Sequence, residues 1–531
     1  MWTSSQARLR RLDADWHQPA PRVHNFPLIA RYYAATQSQP AYHRLPDQAW
    51  DDLNGEPLFA LLDATVSRVG QQCLYQRLRS PLADAPALEA FDAAATLLAQ
   101  DAAGRGQALL ALHHLSSTQA YYLTDLLAGE ALPPLPGAQA APWLVLALLL
   151  TLVGGYWLPA LWLGSLALML SNSVLHFWHR SRVVFGVRPL LQVGNLHRVG
   201  RALAKLSLPL GPLQELAAPV AQIGGLVGNL AFLQAEGPQQ SDMAALPWLF
   251  IEYLKMMFLL DLFIYRRCQN AVQQHNGAIR TVFEAVGYVD CVLAVASFRQ
   301  RHAHCVPQFA PTDAGLHLAA GYNPLVPGCV PNDLTIKEGV LLTGSNMAGK
   351  TTFMRTIGLN ALLAQTIATC PAAAYRAPFC RVLTTLNLAD SLPEGKSYYL
   401  AEAQAVHALL QATEAAPGSY LLLLDELFKG TNTQERIAAT HAVLSYLQPR
   451  SLVVASTHDG ELGELLGETF REYHFCETVT EADWYFDYRL KAGPLTTRNA
   501  IRLLARVGYP AEVVAAAQAL SATLSKKGAP A

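Results

Sequence analysis

From about Leu58 to Leu127, and again over residues 180–310, apolar positions recur at helical spacing. This predicts amphipathic helices, with breaks at Ser80-Pro81, near Gly211-Pro212 and near Gly237-Pro238. Residues 1–55 carry Pro and aromatics but no long periodic run, and Ala131–Pro142 (ALPPLPGAQAAP) reads as a linker. After Pro307 the period changes. Short β-rich runs at Gly339–Thr343, Tyr420–Leu424 and Ser451–Ser456 alternate with helical stretches, the pattern of an α/β sheet domain.

One stretch has no polar face. Trp143–Leu170 (WLVLALLLTLVGGYWLPALWLGSLALML) contains no charge, and no Lys or Arg occurs between Arg105 and Arg180. A bilayer core of about 30 Å needs roughly 20 apolar residues in one helix, so the run suffices for one span. Taken from Pro142 to Phe177, it also accommodates two short helices turning at Gly154-Gly155 or Pro159. Trp143, Trp157, Trp162 and Trp178 suit interfacial positions. A buried hairpin of a helical domain is the alternative, but soluble cores rarely run so far without charge, and the membrane reading is preferred. A second apolar segment, Leu246–Tyr265, contains Glu252, Lys255 and Asp261. Three ionisable groups make a span costly, so it is expected as a buried or membrane-surface helix. Arg180 and Arg182 follow the first run and Arg266 and Arg267 the second, which fits cytoplasmic ends. Met1–Gln18 is charged and lacks the apolar centre of a signal peptide.

Composition sharpens this picture. Only 15% of the 531 residues are charged, against about 25% in soluble proteins, and the length suits three or four domains. A disordered chain is excluded. With 39 Lys and Arg against 40 Asp and Glu, so is a uniformly basic nucleic-acid binder. The balance is local: residues 180–310 hold 12 basic and 7 acidic side chains, while both flanking regions are mildly acidic. The 8 cysteines form no CxxC pair and read as reduced thiols rather than a disulfide frame.

Candidate chemistry lies in the α/β region. The apolar run Val340–Thr343 leads into Gly344, Ser345, Asn346, Met347, Ala348, Gly349, Lys350 and Thr351, a match to GxxxxGK[ST], followed by Thr352 and a helical stretch to Thr369. Such a loop curls backbone N–H groups around phosphates, with Lys350 at the β/γ-phosphates and the Thr351 hydroxyl for Mg²⁺. Leu421–Glu426 reads as a buried strand ending in two acids. Asp425 is the candidate for holding Mg²⁺ and Glu426 for polarising the attacking water. A third strand, Leu452–Ser456, runs into Thr457-His458, where His458 can sense a γ-phosphate.

These motifs resemble the MutS family of DNA mismatch repair ATPases. TGSNMAGKTTFMRTIGLNALLAQ is similar to its phosphate loop and following helix, and the stretch from Asp390 through Ser397 and Glu402 to its signature segment. LLLLDELFKGTNTQE resembles its Walker B strand, ASTH (455–458) its histidine switch, and FDYRLKAGPLTTRNAIRLLARVGYPAEVVAAA its closing strand and C-terminal helices. The resemblance runs from about Asn323 to Leu520. Upstream, residues 61–100 resemble the opening of the family's helical core.

The resemblance implies an α/β P-loop ABC-type ATPase domain at 311–531, preceded by a mostly α-helical core at 58–310 and an extension at 1–57. The core would carry a membrane hairpin at about 142–178. An even number of crossings would keep residues 61–100 and the ATPase on the same side, at the cytoplasmic face of the cell membrane. ATP and Mg²⁺ are the implied cofactors and a homodimer the implied assembly, with Ser397 of one subunit completing the other's nucleotide site. Where the family shows Ser-Thr-Phe, this chain has Ser397-Tyr398-Tyr399. Residues 1–55 are too short for the family's mismatch-reading domain and contain no Phe-x-Glu wedge.

The expected function is therefore an ATP-gated clamp on double-stranded or branched DNA without mismatch-specific reading. Arg180, Arg182, Arg188, Arg198, Arg201 and Lys205 form a face open to solvation, phosphate or lipid headgroups. The alternative is a membrane-tethered ABC-type ATPase acting on a protein or lipid partner. A transporter component is disfavoured, because neither a membrane bundle nor an LSGGQ-type signature is present.

Overall fold

The computed structural model describes residues 2–127, 138–206, 208–233, 250, 253–344, 349–386, 398–415, 420–479, 484–495, 501, 504 and 507–527. It divides the chain otherwise than the expected 1–57, 58–310 and 311–531. One compact unit comprises residues 1–41, 59–80 and 86–301, and the other residues 42–58, 81–85 and 302–531.

The first unit is helical: α1 (Trp2–His17), α2 (Arg68–Arg79), α3 (Ala85–Gln100), α4 (Ala102–Leu112), α5 (Ala141–Gly154), α6 (Leu161–Leu203), α7 (Ala217–Leu233) and α8 (Leu260–Arg301). The centre is α8, on which Val282, Phe283, Val286, Val289, Leu293 and Phe298 are buried at helical spacing. Its backbone is non-helical at His275. A polar knot locks α8 to α2. Asp290 accepts hydrogen bonds from the Val66 N–H at 2.9 Å, the Ser67 N–H at 2.7 Å and the Ser67 hydroxyl at 2.5 Å. Ser67 in turn caps α2 by accepting from the Gly70 N–H, the usual work of an N-cap serine. The approach needs Gly70, since a Cβ there would lie 2.1 Å from the Asp290 carboxylate.

The apolar run does form two helices, α5 and α6, turning at 155–160. The second helix does not stop near Phe177 as expected; it continues unbroken for 43 residues. Its later half becomes amphipathic, burying Leu190, Val193, Leu196, Val199 and Leu203 while Arg198, Arg201 and, just beyond, Lys205 are exposed. The side chains of Arg180, Arg182 and Arg188 lie outside the described residues. Among the described residues two helices are long and apolar enough to cross a membrane, by length and composition: Tyr265–Arg301, whose most apolar stretch is 83% buried, and Leu161–His179, where it is 17% buried. The first is thus a core helix, whereas the second keeps Trp162, Leu163, Leu166, Leu170, Val174 and Phe177 exposed. The segment expected at 246–265 is described only in part. There the Asn172 amide donates to the Met257 carbonyl at 2.9 Å, and the helix breaks before α8 at Leu259, which has φ +50°.

Among the described residues the second unit contains three sheets. Strands β1 (Gln308–Phe309), β2 (Leu316–Gly321), β3 (Asn332–Ile336) and β5 (Ala374–Ala377) form one, in the order β1-β5-β2-β3. The larger sheet runs β12-β9-β4-β8-β7-β6, from β4 (Gly339–Thr343), β6 (Arg381–Thr385), β7 (Tyr420–Asp425), β8 (Leu452–Ser456), β9 (Phe470–His474) and β12 (Lys491–Ala492). All its pairings are parallel except that of β12. Strands β10 (Glu477–Val479) and β11 (Trp484–Phe486) form a hairpin. Parallel strands buried on both faces read as continuous apolar runs, and Leu421–Leu424 is such a run. Among the described residues of the unit, its helices include α9 (Lys350–Ile367), α10 (Tyr398–Ala415), α11 (Thr433–Leu447), α12 (Glu461–Leu466) and α13 (Ala511–Lys527).

Residues 42–58, expected within the N-terminal extension, are part of this unit. The Asp52 carboxylate accepts from the Thr384 hydroxyl at 2.6 Å and the Leu386 N–H at 2.9 Å, and the Asp52 carbonyl accepts from Arg355 Nε at 2.8 Å. His43 Nε2 stands 3.2 Å from the Val382 carbonyl.

Candidate functional site

In a parallel sheet the carboxyl ends of adjacent strands open onto a crevice that suits ligands. Here β4, β7 and β8 lie side by side, with Leu341 opposite Ala455 and Asp425 opposite Ser456. Their ends therefore bring together side chains far apart in sequence.

The chain leaves β4 through Gly344 at φ +129°, where an added Cβ would sit 2.2 Å from the Phe475 carbonyl. It enters α9 through Gly349 at φ +105°. Ser345, Asn346, Met347 and Ala348, expected in the phosphate loop, lie outside the described residues. Lys350 is buried, and its Nζ donates to the Gly344 carbonyl across the loop. Burial lowers the Lys350 pKa, while Glu426 and Asp425 pull the other way. The Thr351 hydroxyl donates to Asp425 Oδ2 at 3.0 Å, and the Ser456 hydroxyl donates to the other carboxylate oxygen. A hydroxyl beside a carboxylate supplies the hard oxygens that Mg²⁺ takes.

Glu426 follows with φ +48°, its N–H bonded to the Ser456 carbonyl at 3.1 Å. This left-handed turn aims the side chain between His458 Nε2 at 2.8 Å and Lys429 Nζ at 3.1 Å. Burial pushes the Glu426 carboxyl up, but the hydrogen bond from His458 and the charges of His458 and Lys429 outweigh it, bringing it down to about 2. Glu426 is then an anion throughout the neutral range, suited to orienting and polarising a water. Arg436 grips Asp459, next to His458, through two bonds of 2.8 and 2.6 Å. Ser397 lies outside the described residues, so its expected role across a dimer has no geometry here.

Two further contributors become clear only in the structure: the bond made by Glu402, which lies in the signature-like segment, and a cavity. Glu402 Oε1 accepts the Phe428 N–H at 2.5 Å. Burial raises the Glu402 carboxyl, against backbone bonds from Phe428, Lys429 and Gly430. Beside Gly349 and Thr352 opens a cavity of about 420 Å³ lined by Val326, Cys329, Phe353, Phe475 and Tyr488 among others. Its volume falls in the ordinary range for small-molecule sites. Asn332 fixes one wall, donating to the Tyr488 carbonyl at 2.9 Å and accepting the Leu490 N–H at 2.8 Å. The cavity unites residues spread from 326 to 488, so no local motif announces it.

The family model described as MutS domain V matches residues 340–525. The DNA mismatch repair protein MutS of a Thermus thermophilus strain is 32% identical over 271 residues, covering 50% of this chain and 33% of the relative. That of Thermus aquaticus is 32% identical over 263 residues, 48% of this chain and 32% of the relative. That of Geobacillus kaustophilus is 30% identical over 281 residues, 50% and 31% respectively. The chain thus spans about a third of the length of these relatives. The matched region includes the strands and loops that assemble Lys350, Thr351, Asp425, Glu426 and His458, so that residues 340–525 are similar to a MutS domain V.

Proposed function

We propose that the chain is a MutS-type ATPase, hydrolysing ATP to ADP and phosphate, whose cycle gates a dimeric clamp on double-stranded or branched DNA. The observation that carries the reading is the meeting of Lys350, Thr351, Asp425, Glu426 and His458 at three adjacent strand ends. The phosphates of ATP lie at Gly344–Thr352, with Lys350 exchanging the Gly344 carbonyl for phosphate oxygens. Thr351 and Asp425 would hold Mg²⁺, which when bound neutralises charge on the phosphates. Glu426 orients the attacking water, and His458 is positioned to sense the γ-phosphate. The cavity beside Tyr488 takes the nucleoside, and Ser397 of a second copy completes the site.

The test is paired. Glu426→Gln is expected to retain ATP binding and lose turnover by roughly 10²–10⁴-fold; undiminished hydrolysis would sink the assignment. Duplex and branched DNA titrated against the full chain over a salt series are expected to bind with an affinity falling steeply as salt rises. No binding even at low salt would remove the DNA role and leave the ATPase acting on a protein or lipid partner.

A second element of the reading concerns location at the cytoplasmic face of the cell membrane. Many apolar side chains of α5, the turn and the start of α6 are exposed, with Trp143 at 72%, Tyr156 at 84%, Trp157 at 71% and Leu163 at 74%. Such a patch far exceeds the scattered apolar exposure of a soluble surface. The 14 residues of α5 reach about 21 Å at 1.5 Å each, short of a 30 Å hydrocarbon core. This favours a hairpin inserted from one side, with both its ends on that side. Flotation of the full chain with lipid vesicles is the test. Leu150→Lys with Leu166→Lys is expected to abolish flotation, and a wild-type chain that stays at the bottom of the gradient would reject the insertion.

A further inference from the structure

The helical unit contains a cavity of about 640 Å³ formed by α1, the 64–68 segment and the turn after α4. Its charge is one-sided: Arg8, Arg11, Arg22 and Arg68 line it together with His113, and Asp15 is the one lining carboxylate. Leu12, Ala64 and Val66 add apolar lining.

The cationic wall is built rather than loosely draped. Arg68 donates through Nε to the Ser116 carbonyl at 3.0 Å and through Nη1 to Gln71 at 2.9 Å. Gln71 is itself fixed by the Tyr121 hydroxyl at 2.5 Å and by its own bond to Asp63 at 2.6 Å. Arg22 donates to the Thr65 carbonyl at 2.6 Å. Asp63 is buried and also holds the Thr65 hydroxyl at 2.5 Å and His24 at 2.9 Å. Two buried carboxylates, Asp63 and Asp290, therefore set the 63–68 backbone that presents these arginines. Arg8 and Arg11 face the cavity from one side of α1, and among the described residues neither forms an ion pair. Their field is felt nearby: the His113 imidazole is held below its usual pKa by burial and then by Arg8 and Arg11.

Cations gathered in a concave site focus field onto a ligand, and planar guanidinium forks match phosphate oxygens two at a time. We propose that this cavity binds a soluble small molecule bearing two or more linked phosphates, with Arg8, Arg11, Arg22 and Arg68 on the phosphates and Leu12, Ala64 and Val66 against its less polar part. A concave site of about 640 Å³ fits a small ligand rather than the phosphate track of a duplex, which needs an extended face. This site is separate from the phosphate loop, shares no residue with it and does not depend on ATP hydrolysis.

The probe is sodium tripolyphosphate, titrated calorimetrically into the full chain carrying Lys350→Ala, so that the phosphate loop does not contribute. Saturable binding is expected, weakened about tenfold or more by Arg8→Ala with Arg11→Ala. Both arginines are exposed helix positions where alanine is well tolerated, and circular dichroism checks that folding is kept. Independently, the His113 ring resonances of the Lys350→Ala protein should titrate at higher pH once tripolyphosphate is bound. The proposal is overturned if Lys350→Ala alone removes all tripolyphosphate binding. It is overturned equally if the double arginine variant binds unchanged, if His113 is unmoved, or if the two arginines matter for duplex DNA and not for tripolyphosphate.

Discussion

The Thr351 hydroxyl stands 3.0 Å from Asp425 Oδ2, joining the first turn of α9 to the end of β7. Ser456, at the end of β8, holds the other carboxylate oxygen. The candidate Mg²⁺ position is thus fixed by contacts from three elements. Asp425→Asn keeps the shape and removes the charge, and is expected to lower Mg²⁺-dependent ATP turnover by roughly 10²-fold or more, on the scale of lost electrostatic stabilisation. Steady-state phosphate release over a Mg²⁺ series checks it. Recovery of full turnover at high Mg²⁺ would mean that Asp425 affects metal affinity alone.

The low pKa of Glu426 has a consequence for stability. A carboxyl depressed from 4.5 to about 2 stabilises the fold fully above its unfolded value, and that contribution is lost as pH falls from 4.5 through about 2. Glu426→Gln is therefore expected to lower the urea midpoint at pH 7, with the difference from wild type shrinking in acid. A difference that stays constant from pH 7 to pH 3 would contradict the ion-pair account.

Glu402 acts by holding the loop after β7. Glu402→Ala leaves the buried Phe428 N–H without its acceptor, a loss of about 1–3 kcal/mol. Because the same loop carries Lys429 to Glu426, turnover should fall while ATP affinity changes little. Urea unfolding together with kcat and KM separates the two effects, and a variant losing stability with kcat intact would limit Glu402 to a structural role.

Gly70→Ala forces the Asp290 carboxylate from its place, since the new Cβ would meet Oδ2, Cγ and Cβ of Asp290 within 2.6 Å. Loss of its bonds to Val66 and Ser67 is expected to cost about 2–3 kcal/mol, the scale for hydrogen bonds to a charged group. Chemical denaturation of the full chain measures it, and an unchanged midpoint would show that the helices can part without penalty.

What the sequence makes legible follows from the range of the forces involved. The Gly344–Thr351 motif and the Asp425-Glu426 pair are legible because each follows the end of an apolar strand, β4 and β7, where local pattern and chemistry coincide. The expected turn after Gly154-Gly155 appears for a similarly local reason. The continuation of α6 beyond Phe177 is missed because a loss of apolar character resembles an end, although no Pro or Gly cap stops the helix there. The placement of Asp52 against Thr384 and Leu386, and of Asp290 against Ser67, is set by tertiary pairing across hundreds of residues. The same holds for the cavity beside Tyr488, whose walls meet only after the sheet forms.

The placement of 42–58 also bears on how the protein is made. Trp50, Leu53 and Leu58 are buried in the α/β unit, whose remaining chain begins in earnest at residue 302. At about 5–20 residues per second, the roughly 240 residues between them take tens of seconds to synthesise. During that interval the nascent chain displays an indole and two leucines whose binding surface does not yet exist. A chaperone footprint over this early stretch, released when β4–β8 emerge, is the trace that such waiting would leave on the ribosome.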